Sequence, residues 1–426
     1  MVGTLRALAF ASAILGAFAD IPKCGPGSPC PAEAPCCSAY GQCGVGAYCL
    51  GGCDPLFSHS LNSCVPNPTC VSKTYAMNSL DGIQDIGKYL GDSSKADWVA
   101  SGKPVVYNNQ ALLLTMAPDT VGTLLASTHY VWYGKISATL TTSQGKGVVT
   151  AFIMMSDVKD EIDFEWVGVD TEHVQTNYYS QGVTNYNNGG NISASATQST
   201  THTYTIDWTP DQISWIVDGK TLRTKKRSET WNSTANRYDF PQTPSRVMLS
   251  LWPAGLPSNA KGTVDWAGGL IDWNSQYMQN GYYYAMFKEV KVECYQPPAG
   301  ASISGKKSYI YTDAAGTNDT VSTVDKQVIL KSLTATGENP GNDTTKADSK
   351  TAPESIPGVS GAGGRSDDNG GGSSGSGNST SGSTTGGSQG FTQGTGTTKS
   401  GGDRLQRLES GSVFAGLVAL TAVLLL

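Results

Sequence analysis

The sequence predicts an all-β fold for the middle of the chain, a two-sheet β-sandwich or jelly roll. Short alternating runs rich in Val, Ile, Thr, Tyr and Trp recur between residues 71 and 296, and Gly, Asn, Asp and Pro turns separate them. No long helical periodicity of 3.6 residues interrupts them. Many short strands in a segment of this length are typical of a sandwich. The clearest runs cover residues 130–140, 147–155, 203–208, 213–217, 247–252 and 282–293.

The composition divides the 426-residue chain into regions of different physical character. Nine of the ten cysteines lie between Cys24 and Cys70, and all nine tryptophans lie between Trp98 and Trp273. Residues 361–402 contain 32 Gly, Ser or Thr among 42 positions, so only the middle region can bury a large core. The net charge of −6 provides no basic field, and we expect no nucleic-acid partner.

The N-terminus has the pattern of a secretory signal peptide. Residues 1–19 contain one charged residue, Arg6, then an apolar run that closes with Ala17-Phe18-Ala19. The alternative, a membrane anchor, needs a longer apolar run than this one. We predict cleavage before Asp20 and secretion of the remaining chain.

The C-terminal third predicts a tether. Residues 297–400 read as a Ser/Thr/Gly-rich linker, a disordered C-terminal stalk, because their apolar content is low apart from 309–311 and 328–333. Residues 401–426 read as a GPI-anchor signal, with small residues from Ser400, a polar spacer and a 14-residue apolar tail that is short for a spanning helix. We expect lipid attachment at Ser400 and a location at the plasma membrane, in the cell wall, or both.

An even number of cysteines in an exported chain indicates disulfides. Seven of them fall in the 30 residues from Cys24 to Cys53, which are too few for an adequate hydrophobic core. We therefore predict a cross-linked cysteine-rich module and connector over residues 20–64. Export also permits N-glycosylation at the Asn-X-Ser/Thr sites, which are Asn191, Asn232, Asn318, Asn342 and Asn378.

One motif in the cysteine-rich module resembles the hevein-type chitin-binding module. It reads Cys36-Cys37-Ser38-Ala39-Tyr40-Gly41-Gln42-Cys43-Gly44 and continues to Tyr48-Cys49. The resemblance covers about residues 23–53 and implies a sugar platform at Ser38, Tyr40 and Tyr48, with Gln42 standing where an aromatic ring is usual. It also implies the disulfides Cys24–Cys37, Cys30–Cys43 and Cys36–Cys49. The alternative is a cross-linked module that only spaces or protects the rest of the chain.

Four cysteines remain outside this implied pairing. We hypothesise that Cys53 pairs with Cys64 and that Cys70 pairs with Cys294, although spacing alone does not determine connectivity. The second pair would join the start of the middle domain, residues 65–296, to its end.

The most informative segment is Asp160-Glu161-Ile162-Asp163-Phe164-Glu165-Trp166. Because side chains alternate between the faces of a strand, Glu161, Asp163 and Glu165 share one face, opposite the apolar residues. Like charges on one face repel, and acidic residues are poor strand formers, so this pattern indicates function rather than stability. A solvent-exposed acidic strand and a calcium site are the alternatives.

Glycoside cleavage with retention is the chemistry that needs such a strand. It uses two carboxyl groups about 5 Å apart, one as nucleophile and one as acid/base. Crowding keeps at least one carboxyl group protonated near neutral pH beside an ionised one. Residues four apart on a strand have Cα atoms about 13 Å apart, so the two outer side chains must lean together over Asp163.

The same segment resembles the active-site strand of glycoside hydrolase family 16. Three further segments are similar to the fungal Crh-type cell-wall transglycosylases: Ile206-Asp207-Trp208-Thr209-Pro210-Asp211, Ser250-Leu251-Trp252-Pro253-Ala254-Gly255 and Asp265-Trp266-Ala267-Gly268-Gly269. The resemblance implies a jelly-roll catalytic domain with Glu161 as nucleophile, Glu165 as proton donor and Asp163 as the residue that tunes both. It also implies that the enzyme cleaves chitin and passes the fragment to β-glucan.

The residues that hold the sugar are expected around this strand. Trp252 and Trp266 are the stacking candidates, by resemblance and because aromatic faces suit sugar rings. Alternation places Met248 on the face of Trp252. The other candidates are Thr263, near Trp266, and the pair Gln175 and Asn177 on the next predicted strand, whereas we assign Trp208 and Trp215 to the core.

The leading hypothesis is thus a chitin–glucan transglycosylase that acts as a monomer. The alternatives are a hydrolytic endo-chitinase or β-glucanase on the same fold, and a non-catalytic lectin-like wall protein. We expect no cofactor and no metal, since His59, His129, His173 and His202 lack metal-ligand spacing.

Overall fold

The computed structural model describes residues 21–341, which are built mainly from strands. In chain order the strands are β1 (Cys36–Cys37), β2 (Cys43–Gly44), β3 (Asn67–Pro68), β4 (Lys73–Ala76), β5 (Ile83–Asp85), β6 (Trp98–Ser101), β7 (Pro104–Tyr107), β8 (Ala111–Met116), β9 (Thr123–Val131), β10 (Gly134–Thr141), β11 (Val148–Ser156), β12 (Glu161–Val167), β13 (His173–Tyr179), β14 (Gly190–Ser193), β15 (His202–Trp208), β16 (Gln212–Val217), β17 (Lys220–Lys226), β18 (Trp231–Asn232), β19 (Arg237–Tyr238), β20 (Ser245–Pro253), β21 (Tyr283–Cys294), β22 (Ser302–Ile303), β23 (Ser308–Tyr311) and β24 (Val321–Val324).

Helical elements in this part of the chain are short. They are the α-helix α1 (Lys261–Trp266) and 3-10 turns at Gly46–Cys49, Tyr186–Asn188, Arg227–Glu229 and Asn318–Thr320. Within residues 21–341 no helix has the length and apolar character that crossing a membrane requires.

Two eight-stranded sheets pack face to face, which confirms the predicted sandwich. The first has the order β17-β16-β15-β10-β21-β8-β7 with β4 also on β21, and the second has the order β14-β13-β12-β11-β20-β9-β6-β5. Strand alternation sends one row of each sheet inward, so Phe152, Phe164 and Leu249 of the second sheet meet Tyr204 and Phe287 of the first in one buried core.

The predicted run over residues 130–140 is two strands rather than one. Tyr133 has a φ of 67°, in the left-handed region, and the chain turns there between β9 and β10. The alternation of apolar residues continues through the turn, which is why the sequence pattern does not reveal it.

All ten cysteines are paired, as Cys24–Cys37, Cys30–Cys43, Cys36–Cys49, Cys53–Cys64 and Cys70–Cys294. The three pairs implied by the hevein-type resemblance are confirmed, and so are the two hypothesised pairs. Cys70–Cys294 bridges a separation of 224 residues and joins the segment before β4 to the end of β21. This disulfide therefore links the point where the chain enters the sandwich to the point where the chain leaves it.

The segment after β21 is folded, which corrects the prediction of a linker from residue 297. β22, β24 and β23 form a four-stranded sheet with β3. Tyr309, Tyr311 and Val321 are buried in the core of the sandwich. These apolar residues are too few to build a core of their own, and the sequence does not show that they complete an existing one.

The cysteine-rich module is fixed to both the sandwich and the C-terminal segment. The backbone N–H of Gly52 lies 3.0 Å from Asp157 Oδ1 and 3.1 Å from the Tyr130 hydroxyl. On the other side, Gly46 donates to the Ala335 carbonyl at 2.8 Å, and a Cβ added at Gly46 would come within 1.9 Å of the Leu333 carbonyl oxygen. The module is thus a packed part of the fold.

Several predicted features lie outside the described residues. They are the signal peptide (1–19), the remainder of the predicted linker (342–400), the GPI-anchor signal (401–426) with Ser400, and the sequons Asn342 and Asn378. Of the other sequons, Asn191 is exposed on β14, whereas Asn232 and Asn318 are half-buried.

A chain that ends at residue 297 should be markedly less stable than one that ends at residue 341. Truncation removes Tyr309, Tyr311 and Val321 from the core, and each large apolar side chain contributes roughly 1.5–3 kcal/mol when buried. We expect a loss of about 5 kcal/mol in the free energy of unfolding, measured by urea denaturation of both chains. Equal midpoints would contradict the assignment of residues 302–324 to the folded core.

Candidate active site

The side chains of β12 separate into two chemically different faces. Ile162, Phe164 and Trp166 are buried in the core between the sheets, where Phe164 and Trp166 contact the ring of Tyr204. By alternation, Glu161, Asp163 and Glu165 lie together on the opposite, concave face. The packing of the apolar side chains thus fixes the position of β12, and the alternation of side chains then places the three carboxylates on the other face.

β12 runs through the second sheet between β13 and β11, which gives each carboxylate two neighbours in register. Glu161 lies between Tyr179 and Met155, Asp163 between Asn177 and Ile153, and Glu165 between Gln175 and Ala151. The carboxylates therefore have polar side chains on the β13 side and apolar side chains on the β11 side.

Two groups outside this face hold β12 in place. From the other sheet, Trp215 Nε1 donates to the Asp163 carbonyl oxygen at 2.9 Å. At the start of the strand, the buried Asp160 carboxylate accepts from the backbone N–H groups of Gln181, Gln242 and Thr243 and from the Thr243 hydroxyl. Asp160 is therefore a structural carboxylate.

Burial and mutual repulsion raise the pKa of all three concave-face carboxyl groups. The pKa of Glu161 is raised to about 8 by burial and then by the charge of Glu165. Burial raises the pKa of Asp163 well above its usual range, with the Glu161 charge as second cause, and that of Glu165 likewise, with Asp163 second. Since Glu161 responds to the charge of Glu165, the two outer groups interact across Asp163. The cluster therefore retains protons at neutral pH.

Several polar atoms of this face have no hydrogen-bond partner among the described residues. They are Glu161 Oε1, Glu165 Oε1 and the indole Nε1 of Trp252, whereas the Asp163 carboxyl group shares a hydrogen bond with that of Glu161. Buried polar groups are nearly always satisfied, so a set of unsatisfied ones on one face indicates a place where a polar ligand binds.

The predicted substrate-binding residues gather beside the carboxylates. Trp252 and Trp266 are stacked with ring centroids 6.0 Å apart, and Trp266 Nε1 donates to Gln175 Oε1 at 2.8 Å. Trp252 is 2% exposed, so in this state its ring is covered by Trp266 and its apolar neighbours rather than open to a ligand. Trp208 and Trp215 are fully buried in the core, as predicted.

The remaining predicted contacts differ in their position. Asn177 donates to the Tyr179 hydroxyl at 2.6 Å, and Met248 is half-buried, in register with Ile153 on the concave face. Thr263 is mostly buried in α1, three residues before Trp266. Of these three, Asn177 lies on β13, next to the carboxylate strand, and Met248 lies on β20, two strands away from it.

The predicted sugar platform of the cysteine-rich module is not an open surface, which corrects that prediction. Ser38 and Tyr48 are 3% and 1% exposed, and Tyr40 is half-buried. Tyr48 packs in a buried cluster that the module shares with β6 and with the C-terminal segment, and Tyr40 packs near Trp252 and Met248 of the second sheet. The sequence motif describes the module alone, so it does not show that other parts of the chain cover these side chains.

Tyr179 is a site residue that the sequence analysis missed. It is buried in register with Glu161, and burial, followed by the charges of Asp163 and Glu161, raises the pKa of its hydroxyl. Extending the alternation from Gln175 and Asn177 by two residues would have found it.

Potential metal ligands are grouped once in residues 21–341, at Cys24, Cys30 and Cys43. All three sulfurs are in disulfides, so they are not available to a metal.

Comparison with known proteins agrees with this geometry. Residues 92–268 match the model of glycosyl hydrolases family 16. Crh-like protein 3 of Botryotinia fuckeliana is 55% identical over 340 residues, which cover 80% of this chain and 76% of that protein. Crh-like protein 2 of Aspergillus fumigatus is 56% identical over 331 residues, 77% of this chain and 74% of that protein.

Solved structures give the same result. A Crh5 transglycosylase in its apo form superimposes with a TM-score of 0.51 at 32% identity, covering 64% of this chain and 100% of that one. The structure of Crh5 transglycosylase in complex with NAG gives the same TM-score at 33% identity, with the same coverage of both chains. On these similarities, the chain belongs to glycosyl hydrolase family 16 and, within it, to the Crh-like proteins.

Proposed function

We propose that this protein is a retaining transglycosylase that cleaves chitin through a glycosyl-enzyme intermediate and transfers the fragment to β-glucan, so that it cross-links the cell wall. The observation that carries the proposal is the set of three buried carboxyl groups on one face of β12, with oxygens that no described residue satisfies. The Crh-like relative at 55% identity and the solved structure of Crh5 transglycosylase in complex with NAG support it.

The roles of the carboxyl groups follow from retaining chemistry. Glu161 attacks the anomeric carbon as its carboxylate, while Glu165 gives its proton to the leaving oxygen. Glu165, now a carboxylate, then takes the proton of an incoming sugar hydroxyl as that oxygen displaces Glu161. Asp163 stands between them, and its charge raises the pKa of Glu165, which keeps the acid protonated for the first step.

The surroundings of β12 favour a sugar over water as the second nucleophile. On the β11 side the carboxylates face Ala151, Ile153 and Met155, which pack with Met248 as an apolar cluster. Such a surface offers few hydrogen bonds to hold a hydrolytic water, whereas a sugar ring covers it with its apolar face. A hydrolase on the same fold remains the outcome against which transfer is tested.

We also propose where the enzyme works. The N-terminal signal pattern and the C-terminal GPI pattern support secretion, attachment at Ser400 and action in the cell wall. We expect the enzyme to act there as a monomer. Its partners are then chitin, β-glucan and the membrane that holds the lipid, and it needs no cofactor.

The central experiment incubates the purified protein with chitin oligomers and a fluorescent β-glucan acceptor. Transfer gives labelled hybrid chains. Shortened chitin without labelled hybrids would identify a hydrolase, and unchanged chitin would identify a non-catalytic wall-binding protein, so either result contradicts the proposal.

Replacing the nucleophile should abolish both product types. Glu161→Gln keeps the shape of the side chain but cannot form the glycosyl ester, and we expect the transfer rate to fall by roughly 1,000-fold or more. The matched control is Glu289→Gln, which changes an exposed residue of β21 and should keep the wild-type rate. More than a tenth of the activity remaining in Glu161→Gln would rule out its role.

The same variant should change the pH dependence of stability. The pKa of Glu161 is about 8 in the folded chain and near 4.5 unfolded, so between these values the folded chain holds a proton that the unfolded chain has lost. Its contribution to stability is therefore lost as the pH rises toward 8. Thermal melting should find Glu161→Gln more stable than wild type at pH 8.5, with a difference that shrinks toward pH 4.5. A constant difference would contradict the raised pKa.

Asp163→Asn should move the alkaline limb of the kcat/KM profile to lower pH, by on the order of one unit. The pKa of Glu165 is raised by burial and then by Asp163, so without that charge the acid loses its proton earlier. The profile is measured on chitin oligomers between pH 4 and 10. Asp119→Asn, at an exposed turn with positive φ, is the control. A superimposable alkaline limb in Asp163→Asn would disprove the coupling.

A further inference from the structure

Arg223 is a half-buried residue of β17, the edge strand of the first sheet, and the proposed mechanism does not use it. Its guanidinium reaches across the sandwich to the second sheet. Nη1 lies 2.8 Å from the Thr176 carbonyl oxygen and 2.7 Å from the Thr176 hydroxyl on β13, and Nη2 donates to the Asn188 carbonyl oxygen in the turn after β13. Arg223 therefore joins the two sheets beside β13.

The position of Thr176 links Arg223 to the cleft. Thr176 lies between Gln175 and Asn177 in β13, and it is buried in register with Phe164 on the core face. Alternation therefore directs the side chains of Gln175 and Asn177 to the concave face, beside the carboxylates. The guanidinium thus holds the backbone of β13 from behind, at the residue between two predicted sugar contacts.

A second contact of Arg223 supports the carboxylate strand. The guanidinium carbon lies 4.5 Å from the centre of the Trp215 ring, over the face of that ring. Trp215 Nε1 in turn donates to the Asp163 carbonyl oxygen at 2.9 Å. A guanidinium stacked in this way covers the ring and restricts its position. One side chain therefore supports both β12 and β13.

Gly190 leaves the space that the guanidinium occupies. It is the register partner of Thr176 on β14, and an added Cβ would come within 2.9 Å of Arg223 Nη1. The three atoms nearest to such a Cβ all belong to the head group of Arg223. The edge of the second sheet is thus shaped around this arginine.

Arginine at this place is costly for stability alone. Burial disfavours its charge and lowers its pKa, and its hydrogen bonds go to uncharged oxygens. A planar guanidinium nevertheless offers several N–H donors in a fixed fork. That geometry lets one side chain hold β13, the turn after it and the Trp215 ring together.

We propose that Arg223 is a positioning residue for the reaction, which fixes the β13 side of the cleft and thereby aims Gln175 and Asn177 at the bound sugar. It acts through these residues and touches neither the substrate nor the carboxyl groups. The inference rests on the proposed function, because it takes a chitin chain as the polymer bound across β12 and β13.

Arg223→Met tests this role, because it keeps the apolar stem and removes every N–H donor. The kinetics follow total cleavage of chitin oligomers, so that transfer and hydrolysis count alike. We expect KM to rise about 10-fold while kcat stays within about 3-fold, since β13 holds the sugar and takes no part in proton transfer. Arg223→Lys keeps the charge without the fork and should resemble Arg223→Met.

The matched control is Arg227→Met. Arg227 is also half-buried and stacks on an aromatic ring, that of Tyr238 at 4.0 Å, but this ring lies on β19, away from the carboxylate strand. It should keep the wild-type KM and kcat. An unchanged KM in Arg223→Met, a fall in kcat alone, or an equal rise of KM in the control would overturn the proposal.

Gly190→Ala tests the same contact with the arginine still present. The new methyl group displaces the guanidinium from Thr176, so KM should rise by roughly fivefold in the wild-type background. In the Arg223→Met background the flexible methionine gives way, and the same substitution should add less than about 2-fold. Gly25→Ala, where an added Cβ meets no atom within 4 Å, is the control. Additive effects of the two substitutions would contradict the proposal.

Thermal melting establishes that each variant is folded. If Arg223→Met does not fold, Gly190→Ala and its control decide the matter alone. A KM for Gly190→Ala equal to that of Gly25→Ala would then overturn the positioning role.

Hydrogen exchange separates the positioning role from the proposed function, because it needs no substrate. Amides of residues 173–193 should exchange about 10-fold faster in Arg223→Met than in wild type, and Arg227→Met should leave them unchanged. Equal exchange would overturn the positioning role even with transfer intact. If the wild-type protein makes no labelled hybrid chains, the proposed function fails, whereas faster exchange together with weaker binding of triacetylchitotriose by Arg223→Met still supports the role of Arg223.

Discussion

The arrangement of the rest of the structure depends on one constraint, the burial of three carboxyl groups on one face of β12. Their mutual repulsion favours exposure, and the strand is held in the sheet by its opposite face, where Phe164 and Trp166 pack in the core. Trp215 and Asp160 fix the backbone from outside that face. The cost of this arrangement is the set of raised pKa values, and these same values keep a proton where glycoside cleavage needs an acid.

Local patterns in the sequence predict a large part of this. Alternation in residues 160–166 is sufficient to place Glu161, Asp163 and Glu165 together, and the density of cysteines is sufficient to indicate a cross-linked module. Long-range packing is not visible in such patterns. Tyr309 and Tyr311 look isolated in the sequence because the core they complete is built by strands far away in the chain. Tyr40 resembles a surface residue because the sheet that covers it belongs to another domain.

The cysteine-rich module and the sandwich are better described as one body than as two units joined by a linker. Asp157, in the turn between β11 and β12, accepts hydrogen bonds from Gly52 of the module, Asn67 of β3 and Tyr130 of β9. One buried carboxylate thus joins the module, the C-terminal sheet and the catalytic sheet, a few residues before the nucleophile. Burial raises its pKa to about 6, so the junction is itself sensitive to acid.

The route by which the chain leaves this body has a mechanical consequence. Residues 328–337 run along the cysteine-rich module, where Gly46 donates to the Ala335 carbonyl and Gly337 donates to the Ser63 carbonyl. Force applied to the chain beyond residue 341 would therefore act first on these few contacts and reach the sandwich only after they part. The Cys70–Cys294 disulfide would bear this force only after these contacts have broken. If the polymers that the enzyme joins pull on it, the contacts between residues 328–337 and the module would break first, while the catalytic sheet stays folded.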